Sequence, residues 1–183
     1  MDKIFEQRLA KYNDELKWLY MEFYDSMPSY DAFVQTLYIS YLERSEALKK
    51  LDEAKEADPL WSRRQDMLGM IIYVDCFAGN LKGVEKKLSY FEECGVNLIH
   101  FMPLLETPEG RSDGGYAVSD YRKVDPKLGT MKDLADLSCA CHEKGMVVCL
   151  DFVMNHTSED HEWARRARNG EKEYMVRNFF FVN

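Results

Sequence analysis

The chain has 183 residues, 46% hydrophobic and 31% charged, with a net charge of −8 at neutral pH. That balance is that of a soluble globular protein of one or two domains. It argues against general nucleic-acid affinity, which needs a concentrated basic face. No segment approaches the ~20 uninterrupted apolar residues of a membrane span.

The opening Met-Asp-Lys-Ile-Phe-Glu-Gln-Arg lacks the apolar centre of a secretory signal, so a cytoplasmic location is expected. The five cysteines (Cys76, Cys94, Cys139, Cys141, Cys149) are odd in number and show no Cys-x-x-Cys pair. They read as buried free thiols of a reducing compartment, with no metal site. Arg165, Arg166 and Arg168 form a local basic cluster, which reads as a solvated helix face.

Residues 1–69 read as a helical domain. A first helix over 3–24 places Phe5, Leu9, Tyr12, Leu16, Leu19 and Phe23 on one face. Pro28 marks a break, and a long second helix is expected to reach residue 57, with a Glu46–Lys50 pair on its solvent face. Asp58-Pro59 predicts a capped third helix through Asp66.

The pattern changes at Gly69. Residues 70–74 and 96–102 read as strands, with a helix from Asn80 to about Cys94 between them, carrying Leu81, Val84, Leu88 and Phe91 inward. A loop of some 25 residues, 104–129, follows; ordered loops of that length are uncommon and usually functional. Thr130 to Asp133 resembles a capping box, opening a helix that ends at Gly145. The third strand starts at Met146 and runs into Asp151, Asn155 and His156.

This β-α-β-α-β order predicts a parallel α/β unit with right-handed crossovers. All three strands then deliver their C-terminal ends to one rim, where such folds place their sites. Asp75, the long loop and residues 151–156 converge there. The phosphate-binding glycine patterns, the serine nucleophile elbow and His-Glu-x-x-His are absent. His100, alternating within the second strand, reads as packed and hydrogen-bonded; His142 reads as solvent-facing, and His161 has the wrong spacing from His156 for a helical metal pair.

Gly114-Gly115-Tyr116, the run from Asp120 to Thr130, and Asp151-Phe-Val-Met-Asn155-His156-Thr-Ser resemble the alpha-amylase family of glycoside hydrolases. Tyr73-Val-Asp75-Cys-Phe77-Ala-Gly79, His100-Phe-Met-Pro103 and Pro108-Glu-Gly-Arg-Ser-Asp113 resemble amylosucrases within it, as does a helical N-terminal domain. The resemblance implies an N-terminal helical segment followed by the first β-α-β-α-β portion of a TIM (β/α)8 barrel. Residues 1–69 would be the helical domain, 70–156 the first three barrel strands and 157–183 the start of a small inserted domain.

It further implies a retaining enzyme acting on sucrose or an α-glucan through two carboxylates about 5 Å apart. In the family these come from later strands, so no catalytic residue is expected within this sequence. By resemblance Tyr116 would stack on the glucosyl ring, Asp113 would lie at the pocket floor and His156 would bond a sugar hydroxyl. Asp151, Asn155 and Asp75 would be structural residues near the site, and no cofactor or metal is implied. A pairing of Asp113 with Asp151 as catalytic acids is disfavoured, since nothing supplies the remaining walls.

Three of eight strands leave Ile72, Leu98, His100, Val147 and Cys149 on a bare inner face with two open edges, an arrangement prone to association. Three readings stay open. The chain is a fragment of an amylosucrase-like enzyme, a stand-alone non-catalytic protein that self-associates or binds a partner, or one half of a split enzyme completed by the missing barrel half. Sucrose-using glucosyl transfer is the first choice for the parent activity and hydrolysis the alternative.

Overall fold

Strands β1 (Gly69–Ile72), β2 (Leu98–Phe101) and β5 (Val147–Leu150) form a parallel sheet in the order β1-β2-β5, in a computed structural model describing residues 2–24 and 27–177. The chain divides into two units, Met1–Ser62 and Arg63–Asn183.

In the first unit, helix α1 (Lys3–Tyr24) packs with α2 (Met27–Glu43). Phe5 sits between Tyr38 and Tyr41, as its place on the predicted stripe requires. The rest of the stripe holds only in part: Leu9 and Leu16 are half-buried, but Tyr12, Leu19 and Phe23 are exposed. The packed face instead uses Tyr20, stacked on Phe33, and Asn13, which accepts a 2.8 Å hydrogen bond from the Tyr30 hydroxyl.

The expected long second helix is two. It breaks at Arg44-Ser45, where the Ser45 hydroxyl caps α3 (Glu46–Ala57) by accepting from the Leu48 N–H. Such a cap is worth about 1 kcal/mol. The Arg44 guanidinium turns instead to the Asp52 carboxylate, and Lys49, not Lys50, pairs with Glu46 at 2.9 Å. The predicted third helix is only a single 3-10 turn, Trp61–Arg63. Asp58 closes α3 and spends its side chain on the Leu60 N–H, so its proline marks a turn.

The second unit's core lies on one face of the parallel sheet. Met70 and Ile72 of β1 and Ile99 and Phe101 of β2 point to the helices, where Leu81, Val84, Leu88, Phe91, Leu137 and Cys141 meet them. The predicted inward positions of the first crossover are therefore right, but its helix is segmented into α4 (Val74–Ala78), α5 (Leu81–Glu85) and α6 (Leu88–Glu93). Asn80 caps α5, its side chain accepting from the Gly83 N–H at 2.8 Å. The capping box on α7 (Met131–Glu143) is complete: Thr130 accepts from the Asp133 N–H and Asp133 from the Thr130 N–H.

Two readings of the sheet need correcting. Ile72 is not on the bare face; it is buried under the helices, and Ile71, 66% exposed, takes its place beside His100 and Cys149. The thiols are not mostly buried either. Cys76, Cys94, Cys139 and Cys149 are exposed and only Cys141 is enclosed, all five being free.

The 104–129 segment is not a structureless loop. Strands β3 (Leu105–Glu106) and β4 (Asp120–Val124) pair antiparallel, and a 3-10 turn covers Asp113–Gly115. Ser119 N–H donates to the Glu106 carbonyl at 2.8 Å, and Asp125 N–H to that of Leu104 at 2.8 Å, closing the excursion at its base. Beyond β5 lie α8 (Glu162–Arg168) and α9 (Lys172–Arg177).

Burial and the nearby Glu85 push the Cys141 thiol up to about 11. We expect the four exposed cysteines to react with a thiol reagent in the native chain, and Cys141 to react only once denaturant opens the core. Phe91→Ala, which empties a fully buried ring position, should cost about 3–5 kcal/mol, read from the denaturant midpoint.

Candidate functional site

Alternation along β2 sends Ile99 and Phe101 beneath the helices and leaves His100 on the opposite face. Asp151 follows β5 directly, and its N–H extends the ladder by donating to the Phe101 carbonyl at 3.1 Å. The carboxylate is thereby set beside His100. His100 Nε2 lies 3.1 Å from Asp151 Oδ1, while the Tyr116 hydroxyl donates to Oδ2 at 2.7 Å.

Tyr116 arrives from the other direction. Asp113, Gly114 and Gly115 adopt left-handed backbone in succession, with φ of 49°, 67° and 99°. Asparagine and aspartate are the non-glycine residues that tolerate this best. A side chain at Gly115 would stand 2.9 Å from the Pro103 ring, so the turn can close over the end of β2 only with glycine there. The Tyr116 N–H then donates to the Asp113 carbonyl at 3.1 Å.

These contacts set the charges. The Tyr116 hydroxyl holds the Asp151 carboxyl below its ordinary range, partial burial opposes this, and His100 adds to the lowering. The same bond, with some desolvation, pushes the Tyr116 phenol up to about 12. An ionised carboxylate only accepts, so His100 Nε2 carries the proton that faces it.

The sequence-predicted residues are distributed around this cluster. Asp113 is exposed at the turn beside Tyr116. Asp75 lines a hollow of about 180 Å3 together with Tyr73, Pro103, Gly114 and Gly115, so it shares the rim. Its side chain accepts from the adjacent Cys76 N–H at 2.9 Å. His156 and Asn155 stand together, Nδ1 to Nδ2 at 3.4 Å, with Asn155 exposed and His156 half-buried. Among the described residues, no side-chain hydrogen bond joins Asp113, Asp75, Asn155 or His156 to the Tyr116–Asp151–His100 cluster; Asp113 meets it only through the backbone bond from Tyr116.

Tyr121 is the residue that sequence reasoning missed. Its hydroxyl sits 2.6 Å from the Val153 carbonyl and 2.9 Å from that of His156, and so fixes the backbone carrying His156. Its ring meets Phe152 and the buried His161. Only its place in an otherwise polar run, Asp-Tyr-Arg-Lys, hinted at an inward role. His161 caps α8, its Nδ1 accepting from the Trp163 N–H at 3.2 Å. His142 is half-buried, not solvent-facing.

A hollow of about 690 Å3 is lined by Glu106, Asp120, Tyr121, His161, Trp163 and Arg165, among others. Neither Tyr116 nor Asp151 borders it. Among the described residues no three His, Cys, Asp or Glu side chains gather as a metal site would require. Two arginines of the 165–168 cluster are engaged at the surface: Arg166 with Glu162 and Glu171, Arg168 with Glu159.

A family model described as the alpha amylase catalytic domain matches residues 19–183. The chain belongs to the alpha-amylase family. Its sheet β1-β2-β5 is accordingly the first three strands of the family's (β/α)8 barrel, with His100 and Cys149 on the face turned toward the barrel interior.

An alpha-glucosidase of Apis mellifera is 45% identical over 85 residues, covering 46% of this chain and 15% of that protein. The amino acid transporter heavy chain SLC3A1 of Rattus norvegicus is 38% identical over 96 residues, 52% of this chain and 14% of its own length. The structure of a variant of MutB, a trehalulose synthase, with its substrate sucrose superposes at a TM-score of 0.53 and 32% identity, over 60% of this chain and 20% of that one. The chain thus spans about a fifth or less of the length of these relatives.

Because the Asp151 carboxyl is held below its ordinary range, its contribution to stability is complete above that range and is lost as pH falls through the lowered value. Asp151→Asn should therefore lower the thermal midpoint near neutral pH, with the difference from the parent chain shrinking in acid. A difference that stayed constant down to about pH 2 would contradict the linkage.

Proposed function

We propose that these residues form one wall of the glucosyl-binding subsite of an α-glucoside-active enzyme of amylosucrase type. The observation that carries this is the convergence of Tyr116, Asp151 and His100 at the C-terminal rim of the parallel strands, where barrel enzymes place their sites. Tyr116 is the platform for the apolar face of the sugar ring, as aromatic rings are elsewhere. Asp113 lies beside it at the pocket floor, and His156 reaches a sugar hydroxyl. Asp75, Asn155 and Asp151 are structural.

Sucrose is the favoured donor, with glucosyl transfer to an α-glucan ahead of hydrolysis. The amylosucrase-like runs around Tyr73 and His100 support it, and the sucrose complex of MutB is compatible with it. Residues 157–183 open the small domain inserted after strand three. The exposed free thiols fit a reducing, cytoplasmic setting. The two carboxylates of a retaining mechanism are not assigned to any residue of this sequence.

A second reading has its own observation. One relative is named as a transporter heavy chain, and the bare sheet face with Ile71 and Cys149 exposed offers a surface for a partner or a second copy. On that reading the chain is non-catalytic.

The purified 183-residue chain should release neither glucose nor fructose from sucrose or maltooligosaccharides, while binding methyl α-glucoside weakly in saturation-transfer NMR. Asp113→Asn, Tyr116→Ala and His156→Ala should each abolish the transfer signal. Turnover by the chain alone would sink the proposal that its catalytic groups lie elsewhere, and a signal indifferent to all three substitutions would sink the site. Restored turnover on co-expression with a barrel half would favour the split arrangement.

A further inference from the structure

Three elements converge on one carboxylate: His100 from the middle of β2, Asp151 from the end of β5, and Tyr116 from the tip of the glycine turn. We propose that Asp151 and His100 are positioning residues, His100 fixing the plane of the Asp151 carboxylate and Asp151 fixing the Tyr116 ring by its hydroxyl; this rests on Tyr116 being the sugar platform.

The turn explains why such a tether is needed. Tyr116 follows two glycines with left-handed backbone and is itself only half-buried, so packing alone holds its ring weakly. A stacking surface is useful only when its plane is fixed before the sugar arrives. The 2.7 Å bond to Oδ2 supplies that restraint at the far end of the side chain.

The restraint is only as firm as the carboxylate. Asp151 has its backbone N–H on the Phe101 carbonyl and its other oxygen on His100 Nε2, at 3.1 Å in each case. Main chain and both carboxylate oxygens are therefore committed. His100 is rooted in the ladder between β1 and β5, with Ile71 and Cys149 as its register partners, so the chain of contacts ends on rigid sheet.

Two features mark this arrangement as a tether. The Tyr116 hydroxyl proton is spent on Asp151, so the sugar meets the ring face and receives no hydrogen bond from the phenol. Asp151 has both oxygens engaged by protein groups, as a tether for Tyr116 requires.

The test uses the 183-residue chain with methyl α-glucoside as probe, comparing His100→Leu, His100→Gln and Asp151→Leu by saturation-transfer NMR. Glutamine keeps an N–H donor for Asp151, and leucine does not. We expect about tenfold weaker binding for His100→Leu and Asp151→Leu, and binding near that of the parent for His100→Gln. A parent chain that binds the glucoside while all three variants bind it equally would overturn the positioning role and leave the platform reading standing. A parent chain that binds no glucoside would overturn the platform reading, and the positioning role with it.

An alkaline titration by ultraviolet absorbance reads the tether without any sugar. One phenol of the parent should ionise near 12, be missing in Tyr116→Phe and move down toward the ordinary tyrosine value in Asp151→Leu. A high-ionising phenol that survives in Asp151→Leu would show that the tether is not what holds Tyr116.

Discussion

Ile99 and Phe101 are fully buried beneath the helices, so the residue between them must face the other way. That residue is His100, and its direction decides where Asp151 finds a partner. The same alternation that builds the core from one face of β2 therefore builds the site from the other. Core and site cannot be shifted independently, because a slip of one residue in the β2–β5 register would put His100 beneath the helices and an apolar side chain beside the carboxylate.

The site then depends on two excursions that the sheet anchors. One leaves after β2 and returns through β4, pinned at its base by Leu104, Glu106, Ser119 and Asp125. The other leaves after β5 and is held by the Tyr121 hydroxyl on the Val153 and His156 carbonyls. They are also joined to each other: Ser158 N–H donates to the Val118 carbonyl at 2.8 Å, and Arg111 pairs with Glu159 and Asp160. The exposed ion pairs contribute little energy individually. The backbone bond and the Tyr121 contacts set the geometry.

Much of this was readable because the signals were local. Asn80 and Thr130 with Asp133 mark helix starts by side-chain hydrogen bonds, and the glycines at 95 and 145 mark helix ends by positive φ, all within a few residues. That β1, β2 and β5 end on one rim follows from their running parallel, which the β-α-β-α-β order announces. Where the sequence misled, the deciding term lay elsewhere in the fold. Met70-Ile-Ile-Tyr-Val is apolar throughout, so nothing local tells Ile71 from Ile72; the helices above choose. Strand β4 is charged along Asp120-Tyr-Arg-Lys and pairs only over a short register, which no periodicity announces. Four cysteines on strand and helix positions looked buried, yet lie on faces that the described residues leave uncovered.

Asp113 shows how these levels meet. Its backbone is left-handed at φ 49°, a conformation that glycine would adopt with less strain, and both following residues are glycine. A glycine at 113 would ease the turn, but it would remove the carboxylate beside Tyr116. The turn thus keeps a side chain on left-handed backbone at Asp113, while Gly115 is kept bare where Pro103 leaves no room. Steric necessity accounts for Gly115. For Asp113 sterics point the opposite way, which makes its carboxylate the part of the turn that calls for a functional explanation.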